Sequence, residues 1–464
     1  MLNHLSLKQR ILFDDVFAAK SVFASTMKNY GDMDIATYIK LLNSYTPLLE
    51  FSERRHSIMQ ALMVSVRHLF DPLTLEKLAK QLINCSILSA SNHAGILSHP
   101  FFINANIIEL LNNNEDSLII TLHVASISFD NPSYPRGLLL NNNLSDELLR
   151  LPLFPRKVLK FSPINYPGYT EENIYGKSSR TSFIETAKHL VRKKYINDRQ
   201  YEKIEWFANH VLLNKEIIKH KTFYEQSIKI NEKLWPHLFV RSQSKLIDIS
   251  IEMIAKSWLI ETLPSCTDTI VYKMIFQKKY RDKLACYFND VGFSLTKKSG
   301  TFLFWGIDNR GRKIGLFEEK EGTLSNNDVA IVLEKNAIIT ALKSGRLIPS
   351  SWLSLLIVMF YAGMVCSGGF MMLDNLFKIK SAWLMFLKSF NQDKEYCLAE
   401  SVPIDKLSMG SIFFHNNFQG KPRPLSMLDL LLDPIVKEQL QSIKKTTLMQ
   451  SMIPGLDFMH KIAC

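Results

Sequence analysis

Apolar positions recur at helical spacing through most of the chain. Ile11, Phe13, Val16, Phe17, Val22 and Phe23 begin the pattern, residues 58–68 repeat it, and residues 74–83 follow Asp71-Pro72, a natural helix start. Residues 1 to about 90 therefore read as helical. Further helices are predicted over 100–111, stopped by Asn112-Asn113-Asn114, over 181–214, over 225–263 with a break at Pro236, and over 427–443. The period changes at 117–129, a β-branched and mostly apolar run that reads as a strand. Residues 301–308 and 313–317 flank Asn309-Arg310-Gly311-Arg312, which predicts a hairpin with Gly311 free to take a positive φ. Residues 130–176 carry six prolines, among them Pro132, Pro135 and Pro167, and are expected to be loop-rich.

One segment bears on the class. Residues 347–373 carry no charge, between Arg346 and Asp374, and could span a bilayer. Pro349, Gly363, Gly368 and Gly369 interrupt the run, so a buried central helix over 350–366 is the favoured reading. The expectation is an α+β fold, predominantly helical, with a small mixed or antiparallel sheet including the hairpin near 301–318. Two regions are foreseen: 1–240, helical and loop-rich, and 241–464, an α+β region holding the hairpin and the apolar helix, as separate units or one compact body.

Composition adds less. With 464 residues, 47% hydrophobic and 22% charged, the chain can bury a large core and is not expected to be disordered. Its formal net charge of +12 suggests an acidic partner, but the cations are scattered in short runs at 54–55, 156–160, 192–194, 278–281, 297–298 and 444–445, each read as a solvated face. No nucleic-acid motif accompanies them. The six cysteines, including Cys85 and Cys366, form no CxxC pair, which fits thiols in a reducing, cytoplasmic setting. Charges in the first 25 residues argue against a secretory signal.

Chemistry is expected first at Ser91-Asn92-His93-Ala94-Gly95-Ile96-Leu97-Ser98-His99-Pro100. Pro100 suits the first position of a helix, whose free N–H groups attract anions, with Ser98 and His99 beside them as donors. Gly95 lets the backbone approach a ligand, and Ser91 and Asn92 complete the substrate-binding set. His123, in the following strand, could join His93 and His99 as an acid–base group or as a metal triad with Asp130, against the plain alternative of capping and core hydrogen bonds. Arg310 and Arg312, with Lys313, could clamp a carboxylate or phosphate or form a solvated turn. Ser367-Gly368-Gly369-Phe370 could cradle an anion or simply end a helix. No nucleophile elbow, dinucleotide fingerprint, Walker loop or kinase motif occurs. The foremost expectation is an enzyme acting on a small anionic metabolite, cofactor unknown. The alternative is a non-catalytic binding protein with an acidic partner.

Overall fold

The computed structural model describes residues 6–83, 87–112, 117–176, 182–240, 244–291, 298, 300–320 and 322–464. Cys85, Asn113, Asn114 and Lys297, named above, lie outside the described residues.

Helices dominate, as the periodicity implies, but they surround a five-stranded sheet: β1 (Ile87–His93), β2 (Ile119–Val124), β3 (Leu246–Ser250), β4 (Val365–Gly369) and β5 (Leu407–Met409). The order across it is β5-β4-β1-β2-β3, and every neighbouring pair is parallel. The expectation of only a small mixed or antiparallel sheet missed this parallel one, while the predicted hairpin stands in a separate three-stranded antiparallel sheet. All five positions of β3, and all five of β4, are buried. A strand covered on both faces shows no polar alternation, so it merges into neighbouring apolar helical runs. That is why β3 lay hidden inside the helix predicted over 225–263, and β1 inside the helical reading of the first 90 residues. The 91–100 loop is correspondingly shorter, because Ser91, Asn92 and His93 belong to β1.

The antiparallel pieces are peripheral. Phe304–Ile307 pairs with Lys313–Gly315 in the predicted hairpin, and Gly311 takes φ 76° at its turn. A second hairpin, Gly137–Asn141 with Leu148–Pro152, occupies the proline-rich region.

Parallel strands need crossovers. From β1 the chain returns to β2 through α1 (Pro100–Asn112), which packs on both strands. α2 (Phe223–Leu238) packs on β3, and α3 (Ile251–Thr262) follows β3 directly, with Ser250 accepting from the Met253 amide at 3.2 Å. α4 (Phe370–Lys388) follows β4 with no intervening residue. The stretch 347–373 therefore divides into a short strand at Leu347–Pro349, a helical segment from Ser351 to Tyr361, strand β4 and the start of α4. Gly363, at φ 70°, makes the turn between the helical segment and β4. Among the described residues no helix is long and apolar enough to cross a membrane. The helix predicted over 427–443 is likewise two, Met427–Leu432 and Lys437–Ile443, parted at Asp433-Pro434, where proline lacks the N–H a continuous helix needs.

The chain thus builds outward from β1 to β2 and β3, then returns to lay β4 and β5 on the other side. β1 and β2 precede residue 240 and the other three strands follow it. The order reverses between β1 and β4. In open parallel sheets, ligands bind outside the carboxyl ends of the strands at such a reversal. Trp383 and Phe386 stack at 5.2 Å on the buried side of α4, and burial of one such ring contributes roughly 3 kcal/mol.

Candidate functional site

A cavity of about 240 Å³ opens at the carboxyl edge of the sheet. Every strand end or following helix start reaches it: His93 from β1, His123 and Val124 from β2, Ile251 after β3, Gly369 from β4 and Met409 from β5. Two register slips frame it. β1 slips against β2 between Ser89 and Asn92, and β4 slips against β5 between Gly368 and Gly369. Such irregularities re-aim side chains and recur beside functional sites. Most of the wall is apolar, supplied by Phe102, Leu122, Leu355, Met371 and Met372, with Ser351 and Asn375 as further polar groups.

The three predicted histidines lie close together but are not equivalent. His93 and His123 line the cavity, whereas His99 does not. His93 Nδ1 is 2.8 Å from Ser133 Oγ. Burial, followed by the nearby His123, lowers the His93 pKa to about 4, against an opposing pull from Glu252. His123 is buried, its ring packs edge-on to Tyr224 at 5.5 Å, and its Nε2 has no hydrogen-bond partner. Burial lowers its pKa too, while Asp248 and Glu252 raise it. His99 Nδ1 accepts from the Phe101 amide at 3.3 Å, and burial drives its pKa down to about 3. Phe102 packs against both His93 and His99 at 5.0 Å. Burial thus works against the protonated form of all three rings.

The other predicted residues divide. Ser91 lies on β1. Asn92 is buried and donates to Asn106, Thr121 and Asp248, so it belongs to a core network rather than the cavity wall. Ser98 is fully buried and accepts from the Leu139 amide at 3.1 Å, and the start of α1 is buried with it. Gly95 does provide a close approach, but to the chain itself. A Cβ there would stand 2.9 Å from Pro135 Cα and its carbonyl oxygen. Gly95→Ala is therefore expected to lose about 1–3 kcal/mol in urea unfolding. Unchanged stability would mean that the Pro135 loop gives way freely.

Arg310 and Arg312 stand apart from the cavity wall. Arg310 is exposed, Arg312 pairs with Asp308 at 2.6 Å, and Lys313 donates to the Ser126 carbonyl at 2.7 Å. Asp130 is exposed and accepts from Ser128. Among the described residues no group of three His, Cys, Asp or Glu could hold a metal ion. His93, His99, His123 and Asp130 therefore do not assemble as the metal set considered above. The Ser367-Gly368-Gly369-Phe370 segment ends β4 and opens α4, rather than ending a helix.

No protein-family model matches this chain, nor does any curated protein or solved structure.

Two buried carboxylates behind the cavity escaped the sequence reading. Asp248, on β3, accepts from Asn92 at 3.1 Å, from Asn231 at 2.8 Å and from Thr121. Asn231 also donates to the Gly95 carbonyl and accepts from the Leu97 amide, so this network fixes the loop after β1. Glu252, in the first turn of α3, is fully buried. It accepts from the amides of Ala125 and Ser126 and from the hydroxyls of Ser126, Ser250 and Ser351. It thereby ties the end of β2 to the start of α3 and holds Ser351 at the cavity wall. The available signal was a carboxylate inside the apolar run Leu-Ile-Asp-Ile-Ser, which only a buried network would tolerate.

Proposed function

We propose that this protein is an enzyme acting on a small anionic molecule with an apolar body, using His93 and His123 as its acid–base pair. The carrying observation is the presence of a half-buried His93 and a buried His123 on one cavity at the reversal point of the sheet, with His123 Nε2 unpartnered. The apolar wall suits the body of the ligand. The start of α4, a 19-residue helix whose N-cap Gly369 offers no side-chain cap, is suited to its carboxylate or phosphate end. An anion bound there favours the protonated imidazole, raising the depressed His93 and His123 toward working pH. Binding is then expected to take up protons, and calorimetry in buffers of different ionisation heat would measure the uptake.

The decisive experiment screens small carboxylic acids and phosphate esters for binding by thermal shift and for conversion by NMR. A converted compound is expected, with turnover reduced by roughly 10²–10⁴-fold in His93→Gln and His123→Gln while melting changes by only a few degrees. Failure of every compound to bind, or undiminished turnover in the double variant, would sink the reading.

A further inference from the structure

Two arginines, Arg136 and Arg150, lie against the ring of Tyr134, and Arg156 follows two residues after Phe154, whose carbonyl Arg136 holds. Tyr134 is buried and held at φ 55°, a left-handed conformation that costs a non-glycine residue about 1 kcal/mol or more. The Arg136 guanidinium carbon lies 4.7 Å from its ring centre and that of Arg150 lies 5.2 Å away. Arg150 sits across the hairpin from Leu139, and Arg156 opens the short helical turn after it. Charge effects couple the group: Arg136, Arg150 and Arg156 all act on the Tyr134 phenol, and Arg150 and Arg156 both act on Arg136.

Among the described residues the cluster lacks a paired counter-charge. Arg54, Arg281 and Arg312 each meet a carboxylate at 2.6–2.8 Å. Among the described residues no carboxylate pairs with Arg136, Arg150 or Arg156. Arg136 is only 7% exposed; its Nη1 donates to the Phe154 carbonyl at 2.7 Å, and its Nε is buried without a partner. Arg150 and Arg156 are exposed, as is Lys157. A buried cation beside two like charges is costly unless an anion joins it.

We propose that Arg136 and Arg150, set against Tyr134, form with the neighbouring Arg156 a binding site for a phosphate group. Guanidinium forks match phosphate oxygens in pairs, and the fixed Arg136 is accompanied by two exposed arginines free to turn their donors to an anion. The phosphate is either free or the end of a small phosphorylated molecule. The site stands independently of the cavity and its chemistry.

The test is binding by the full chain at constant ionic strength. Inorganic phosphate is expected to raise the melting temperature and to bind with Kd on the order of 1 mM or tighter, whereas chloride gives no shift. Arg150→Ala/Arg156→Ala changes two exposed residues, so it should fold normally, and it should weaken phosphate binding at least tenfold. Phenyl phosphate binding tenfold more tightly than inorganic phosphate would assign the site to a phosphorylated molecule; equal affinity would assign it to free phosphate. No melting shift with either probe, or wild-type affinity in the double variant, would overturn the proposal. Turnover is not part of the readout, so its absence leaves this result unaffected.

Discussion

Replacing Glu252 with Ala is expected to lower the unfolding free energy by about 3–5 kcal/mol. Its two oxygens serve five donors in a fully buried site. Truncation leaves the Ala125 and Ser126 amides without that acceptor, and three hydroxyls must find new ones. The informative companion is Glu252→Gln. Oε2 accepts from the Ala125 amide and Oε1 from the Ser126 amide, so each oxygen faces a main-chain N–H that cannot rotate away. A Gln must turn its NH₂ toward one of them, donor against donor. It is therefore expected to lose nearly as much stability as Ala, despite its matching size. Urea unfolding of the two variants measures this, and a Gln variant close to wild type would show that the carboxylate charge and its second acceptor are dispensable. Ser351 adds a functional readout, since its loss of the Glu252 contact should weaken ligand binding in the cavity as well.

Stability is also expected to fall steeply with acid, beginning well above the usual carboxylate range. His93, lowered to about 4, and His99, lowered to about 3, remain neutral in the fold at pH values where the unfolded chain already takes up protons, near 6.5. Their contribution is fully present above pH 6.5. It declines as pH falls through 6.5 toward 4 and 3, at roughly 1.4 kcal/mol per pH unit for each ring, and stops declining below the folded values. Glu109 acts the other way. Burial raises it to about 7, so between 7 and its ordinary 4.5 the fold holds a proton that the unfolded chain lacks. That offsets one histidine over part of the window. Comparison with His99→Leu isolates the effect, because Glu109 is common to both chains. The variant's stability is expected to vary with pH by one proton less than wild type between pH 6 and 4. Parallel curves would mean that His99 is not held neutral by its burial against Phe101 and Phe102.

The sequence made some of this architecture legible and concealed the rest for identifiable reasons. The hairpin at 304–315 announced itself through Asn309-Arg310-Gly311-Arg312, and β2 through its β-branched run. β3, β4 and β5 are five residues or fewer and lie within or beside helical segments, so no periodicity marks them. The candidate site was half visible. His93 and His123 stood out as imidazoles beside apolar runs, and the pairing of β1 with β2 brings them to one cavity. His99 looked equivalent in sequence, but its place before α1 turns it into a cluster of tilted rings with Phe101, Phe102 and Phe458. Arg136 and Arg150 could not be grouped from the chain alone, because only the fold of the 137–152 hairpin brings Arg150 back to Tyr134.

The strand order has a consequence for how a newly made chain must wait. β1 leaves the ribosome early with β2 soon after it, yet β1's other neighbour, β4, begins only at Val365. At about 5–20 residues per second, that edge of the strand stands bare for tens of seconds. Closing so long a loop late also makes refolding slow. Nascent or truncated chains ending before Val365 should therefore be the species that chaperones hold and that aggregate first.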